Sequence, residues 1–240
     1  SVTAINGGKL HIIAGLGAEG DGIDSNGYLV INGGTYKISS PTVGGANAWA
    51  GSAGSLIRSE AGNVIINGGT FSEGYEASSN NWGMYQICSG DNAKVIVNGG
   101  DFSKEWDCAN GYDLATSGTG AIEIYGGTFA DDPSSQNGKN YVAAGYEVIA
   151  NADGTYTVKV DLDNVCTAQS FADALAEGGN ITITADIATE EMVAIPEGTT
   201  VNMVLNGNTV SSANGTNIVI RNYVNNVKNS CWSNVGSYEN

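Results

Sequence analysis

Five times before residue 130 the chain writes an apolar strand that ends in a Gly-Gly corner. The copies are Thr3-Ala4-Ile5-Asn6-Gly7-Gly8, Leu29-Val30-Ile31-Asn32-Gly33-Gly34-Thr35-Tyr36, Val64-Ile65-Ile66-Asn67-Gly68-Gly69-Thr70-Phe71, Val95-Ile96-Val97-Asn98-Gly99-Gly100-Asp101-Phe102 and Ile122-Glu123-Ile124-Tyr125-Gly126-Gly127-Thr128-Phe129. Their first glycines stand 26, 35, 31 and 27 residues apart. A short unit recurring at that interval cannot bury its apolar face alone and does so against the copies before and after it. The expected architecture is a solenoid.

Two further strands complete each copy. Upstream of the corners stand Ile23-Asp24-Ser25, Ile57-Arg58-Ser59, Ile87-Cys88-Ser89 and Ala115-Thr116-Ser117. Alternation places the first and third residues on one face and the middle one on the other. The predicted interior column is Ile23, Ile57, Ile87 and Ala115, with Ser25, Ser59, Ser89 and Ser117 beside it. Asp24, Arg58, Cys88 and Thr116 then point outward. After each corner a third strand opens near an aromatic: Tyr36, Phe71, Phe102 and Phe129. Three short strands per turn describe an all-β fold, a parallel β-helix with strands about 4.8 Å apart. Asn6, Asn32, Asn67 and Asn98 are expected to bond copy to copy as a ladder. Tyr125 breaks that ladder and marks the end of the regular repeat.

The segments Tyr146-Glu147-Val148-Ile149 and Tyr156-Thr157-Val158 flank an Asn151-Ala152-Asp153-Gly154 turn, a hairpin signal that could close the stack. A short helix is expected from Ser170 as its capping residue to a Gly178-Gly179 stop. Further strands follow at 181–184, 201–205 and 218–220, and Asn206-Gly207-Asn208 repeats the corner chemistry. Three regions result: solenoid turns over 1–133, a closing hairpin over 134–160, and a second module over 161–240 that resumes a solenoid. Solenoid ends need caps, and neither end of the sequence supplies an evident one. The sequence therefore predicts a piece of a longer protein or ends that stack on another copy. Ser1, with no initiator Met or signal peptide, points to a processed or cut product.

Composition narrows the function. Asp and Glu total 25 against 9 Lys and Arg, a formal charge of −16. That excludes nucleic acid, which needs a basic face, and disfavours an anionic membrane surface. No apolar run is long enough to span a bilayer. Gly is 35 residues and Pro only 3, so the glycine serves corners rather than linkers. Cys88, Cys108, Cys166 and Cys231 lack zinc spacing, and their even number hints at an oxidising, extracytoplasmic setting. Cys88 with Cys108 and Cys166 with Cys231 are conceivable pairs, and free half-buried thiols are the alternative.

The spacing between corners varies because residues are inserted after the third strand of each copy. The insertions carry Trp49, Tyr75, Trp82, Trp106 and Tyr112. Leaving from equivalent places, they lie along one edge, where flat aromatics suit stacking on sugar rings. The alternative is that the rings cover their own loops. Carboxylates gather near the first copy (Glu19, Asp21, Asp24) and after the third (Asp101, Glu105, Asp107, Asp113), an oxygen-rich pattern suited to Ca²⁺ although it matches no EF-hand spacing.

The stretch Gly20-Asp21-Gly22-Ile23-Asp24-Ser25-Asn26-Gly27-Tyr28-Leu29-Val30-Ile31-Asn32-Gly33-Gly34-Thr35-Tyr36, continuing through Ser40-Pro41-Thr42-Val43-Gly44-Gly45, resembles bacterial surface β-helix proteins of the clostridial, carbohydrate-binding type. Their repeats carry an Asp-Gly-Ile-(Asp/Asn)-Ser-Asn-Gly element, a strand and an Asn/Ser-Gly-Gly-Thr corner. The resemblance covers residues 1–50 and reaches 130 through the corner motif alone. It implies a right-handed parallel β-helix, calcium, and binding of acidic plant polysaccharide. It also implies Asp21 as the position to meet calcium, with Asp24 second. Ser55 and Arg58, then Tyr85 and Cys88, replace these two in later copies, so any calcium row is short. The region after 160 is similar to other repetitive surface proteins of Gram-positive bacteria.

Parallel β-helices include pectin lyases and hydrolases, so catalysis has to be weighed. Arg58 and Arg221 are the only arginines and His11 the only histidine. Asp131-Asp132 is an adjacent carboxyl pair that reads as a solvated turn, and no Ser or Cys nucleophile has an obvious base. The expectation is a non-catalytic extracellular surface module binding polysaccharide, with calcium near Asp21 and Asp24. The alternative is a structural subunit of a surface fibre, filament or phage appendage, whose partners are other copies of itself.

Overall fold

The computed structural model describes residues 2–13, 21–39, 55–73, 85–103, 113–136, 138–215, 220–224 and 227–228. It is mostly β-strand, largely in parallel sheets, with one short helix among the described residues. Contacts divide it into two units, Ser1–Ala143 with Val148–Lys159, and Ala144–Glu147 with Val160–Asn240.

In the first unit every third strand pairs. One sheet joins β1 (Val2–Ile5), β4 (Tyr28–Ile31), β7 (Gly62–Ile66), β10 (Ala93–Val97) and β13 (Ala121–Ile124). A second joins β2 (Lys9–Ile13), β5 (Thr35–Ser39), β8 (Thr70–Glu73), β11 (Asp101–Phe102) and β14 (Gly127–Phe129). The third joins β3 (Ile23–Ser25), β6 (Ser55–Ser59), β9 (Tyr85–Ser89) and β12 (Leu114–Thr116). All these pairings are parallel, as the repeat requires. Alternation puts Leu29 and Ile31, Val64 and Ile66, Val95 and Val97, and Ile122 and Ile124 into the core from the first sheet.

The corner motif is explained atom by atom. Asn32 Nδ2 donates to Asn6 Oδ1 at 2.7 Å, Asn67 Nδ2 to Asn32 Oδ1 at 2.7 Å, and Asn98 Nδ2 to Asn67 Oδ1 at 2.8 Å. The second glycine of each pair has φ of +117° to +127° at Gly34, Gly69, Gly100 and Gly127, a region that side chains disfavour. Beneath these glycines the buried rings Tyr36, Phe71, Phe102 and Phe129 stack with centroids 5.0, 4.4 and 5.1 Å apart, within 9° of parallel. That spacing is the strand separation of about 4.8 Å, so each strand brings its ring into register with the next.

The fourth copy differs from its predicted register. Leu114, not Ala115, pairs with Ile87, and Thr116, not Ser117, pairs with Ser89. The outward column is therefore Asp24, Arg58, Cys88 and Ala115. Leu114 is 1 % exposed, and burying its larger apolar side chain outweighs keeping the serine ladder intact.

The far end of this unit is covered. Segment 133–142 runs over β13, where Ile124 donates to Tyr141 O and accepts from Ala143 N, both at 2.9 Å. The buried Gln136 accepts from Asp113 N through Oε1 at 2.9 Å. The expected hairpin is present as β15 (Tyr146–Ala150) and β16 (Tyr156–Val160), and β16 pairs antiparallel with β14.

The second unit holds the helix α1 (Ala168–Glu177) and the strands β17 (Gly179–Thr182), β18 (Ile187–Thr189), β19 (Val193–Ile195), β20 (Val201–Val204), β21 (Val210–Ser212), β22 (Ile220–Val224) and β23 (Val227–Lys228). Here too every third strand pairs in parallel: β17 with β20, β18 with β21, β19 with β22. The helix begins earlier than predicted. Thr167 is the N-cap, and Ser170 is the third helical residue, closing a reciprocal capping box with it. Ser170, Phe171, Ala174 and Leu175 are buried, and the helix lies against β18 and β19. Gly178 ends it at φ +83°. No helix among the described residues is long and apolar enough to cross a membrane.

Candidate functional site

Each copy leaves the second sheet and enters the third: β5 leads to β6, β8 to β9 and β11 to β12. Because β5, β8 and β11 are successive neighbours, and so are β6, β9 and β12, the intervening segments start and finish along one side of the unit. Those segments contain the sugar-stacking candidates. Trp49, Tyr75, Trp82, Trp106 and Tyr112 all lie outside the described residues.

The outward face of the third sheet adjoins that side. Asp21 is half-buried there, and its Oδ1 accepts from Ser55 N at 2.7 Å. Arg58 Nε stands 3.8 Å from Asp21 Oδ2 and 3.0 Å from Glu60 Oε1. Burial pushes the Asp21 carboxyl above its ordinary value, despite the opposing pull of the Ser55 N–H and of Arg58. Asp24 is exposed on the same face. These two carboxylates do not by themselves make a calcium site. Calcium takes six to eight oxygens, one carboxylate faces a guanidinium, and no group of three or more His, Cys, Asp or Glu is gathered for a metal among the described residues. Glu19 lies outside them.

Cys88, next to Arg58 in the outward column, is half-buried and bonds to no other cysteine among the described residues. Burial pushes it up, against Arg58 and a Ser55 hydrogen bond that pull it down, so it lacks the depressed value of a nucleophilic thiolate. Cys166 likewise bonds to no cysteine among the described residues, and Cys108 and Cys231, the conceivable partners of Cys88 and Cys166, lie outside them.

One feature escaped the sequence reading. His11 is in register with Lys37, and Lys9 with Thr35, on the face of the second sheet opposite the buried Tyr36 and Ile38. Thr70 and Ser72 continue these two rows on β8. In a chain of charge −16, three basic side chains thus share one outward face with a row of hydroxyls. The signal was present: Lys9, Thr35 and Thr70 each directly follow a Gly-Gly pair, and His11, Lys37 and Ser72 stand two residues later.

Comparison of the chain with protein-family models, with curated proteins and with solved structures found no match.

Proposed function

We propose that the three sheets of the first unit wind as a right-handed parallel β-helix, and that the protein is a non-catalytic extracellular surface module that binds polysaccharide. The carrying observation is the common side from which the insertions bearing Trp49, Tyr75, Trp82, Trp106 and Tyr112 depart. A rigid sheet with aromatic-rich segments spaced strand by strand suits an extended polymer, which repeats along its own length. The Lys9–His11–Lys37 face offers charge for carboxylated sugars, in line with the acidic polysaccharide that the family resemblance implies. Calcium near Asp21 rests on that resemblance as well. Its test is a calcium-dependent rise in Tm that disappears in Asp21→Asn.

The deciding experiment is a glycan array followed by calorimetry on the best ligand. Trp82→Ala is expected to weaken binding at least tenfold with the fold intact by circular dichroism. An array without hits would sink the reading.

A second reading, a structural subunit of a fibre, filament or phage appendage, is favoured by β1, β2 and β3. Among the described residues each has a strand neighbour on one side only, and Val2 and Leu10 there are 67 % and 40 % exposed. Filaments in negative stain, with light scattering that grows with concentration, would select it. A monomer with an intact glycan affinity selects the first.

A further inference from the structure

Each ladder asparagine, Asn6, Asn32, Asn67 and Asn98, is exposed and stands directly before a Gly-Gly pair. An Asn-Gly bond is a point of chemical weakness, because glycine has no Cβ to keep its backbone nitrogen away from the preceding side-chain amide. Among the described residues no backbone carbonyl accepts from the N–H of Gly7, Gly33, Gly68 or Gly99, so no backbone bond restrains these nitrogens. The residue before each asparagine is Ile5, Ile31, Ile66 or Val97. Local sequence therefore gives the four sites nearly the same intrinsic reactivity, and a difference between them has to come from the ladder.

The ladder does not hold them equally. Asn32 and Asn67 use both ends of the amide, Nδ2 donating to the asparagine before and Oδ1 accepting from the one after. The two end members use one. Asn6 only accepts within the ladder, and Asn98 only donates. Beyond Asn98 the next corner has Tyr125 in place of a fifth amide, and its phenol donates to Glu123. We propose that Asn6 and Asn98 are sites of spontaneous deamidation, and that conversion at Asn98 alone passes inward to Asn67. In the reaction the nitrogen of the following glycine loses its proton to solvent and attacks Asn Cγ. A C–N bond forms, the Cγ–Nδ2 bond breaks, and ammonia leaves a cyclic imide that water opens to aspartate or isoaspartate. Leaving the ladder position is required for the attack, so each ladder bond opposes it. The product fixes the direction. A carboxylate at position 98 has no N–H to give Asn67 Oδ1, so Asn67 loses one of its two bonds. A carboxylate at position 6 still accepts from Asn32 Nδ2, and more strongly because it is charged.

The test ages the full chain at mildly alkaline pH and follows each site by peptide mapping with mass spectrometry, which reads the exchange of NH for O. Asn6 and Asn98 should convert about fivefold faster than Asn32 and Asn67, the factor that one net hydrogen bond is worth. The same chain unfolded in urea should convert all four at similar rates. In Asn98→Asp the rate at Asn67 should rise about fivefold, while Asn32, still held by Asn67 Nδ2, keeps its rate. In Asn6→Asp the rate at Asn32 should not rise. Equal rates at the four sites of the folded chain overturn the proposal, as does a ranking that survives in urea, since it would then come from sequence. An unmoved Asn67 in Asn98→Asp, or an equal acceleration of Asn67 and Asn32 there, overturns the inward passage. The ranking in the wild-type chain needs no variant to fold.

Discussion

A methyl group placed on Gly100 would sit 3.0 Å from Phe102 Cε2 and 3.2 Å from Phe71 Cε2, on a backbone with φ of +127°. Both obstacles act at once, and neither neighbour is a flexible side-chain end. Gly100→Ala is expected to cost about 1–3 kcal/mol. Gly68→Ala, without left-handed φ and with only Asn32 O at 3.5 Å, should stay within about 0.5 kcal/mol. Urea midpoints of the two variants check the contrast. Tyr125 carries a different signature. Burial, then its hydrogen bond and proximity to the Glu123 carboxylate, push its phenol up to about 12. An unfolded tyrosine titrates near 10, so the folded state holds this proton more tightly between the two values. Its stabilisation is complete below pH 10 and is lost as pH rises toward 12. Denaturant midpoints measured across that window should fall in the wild type and fall less steeply in Tyr125→Phe. The corner residues were legible because each has a single physical duty: Asn bonds to Asn, glycine turns, and the ring stacks. Tyr125 was legible as the break in the ladder, but its bond to Glu123 was not, because no repeat announces it.

At the scale of elements the structure departs from the sequence pattern in three ways. Matching Ser117 to the serines of earlier copies puts Ala115 in the inward isoleucine column, whereas the packing rewards Leu114. Ser170 looked like a cap because serine favours that position, yet Thr167 three residues earlier completes the reciprocal bond. Strands β18, β19 and β21 are three residues each, too short to show a period. At Leu114 a local pattern is overruled by a partner distant in sequence, Ile87, whereas at the helix start the deciding partner is only three residues away. Two variants probe the elements directly. Phe102→Ala removes the ring that stacks on both neighbours and should cost about 3–5 kcal/mol. Thr167→Ala should cost about 1 kcal/mol, read by hydrogen exchange of the α1 amides, which open more often when the cap is lost.

At the scale of the whole molecule, net charge conceals a basic face. A total of −16 averages over faces, while strand pairing gathers Lys9, His11 and Lys37 onto one of them. If that face takes carboxylated polysaccharide, affinity should weaken as salt rises from about 50 to 300 mM, over which the screening length falls from about 14 to about 6 Å. The Lys9→Gln, Lys37→Gln double variant should bind more weakly and with a flatter salt dependence, as calorimetry would show. Affinity indifferent to salt would leave the aromatic edge as the sole contact. The insertions themselves were visible only as gaps in the rhythm, since loop residues answer to no period.

The antiparallel strand β16 on the edge of β14 works as a full stop in a sentence whose clauses are interchangeable. Asn32 and Asn67 stand 35 residues apart in the same ladder, so excising residues 33–67 joins Asn32 to Gly68 and rewrites a complete corner. Ile31 would then meet Val97 across the new seam, apolar against apolar, and the terminating hairpin would be untouched. Length in this protein is therefore a count that insertion or loss of one clause can change, while the punctuation that ends it is written once.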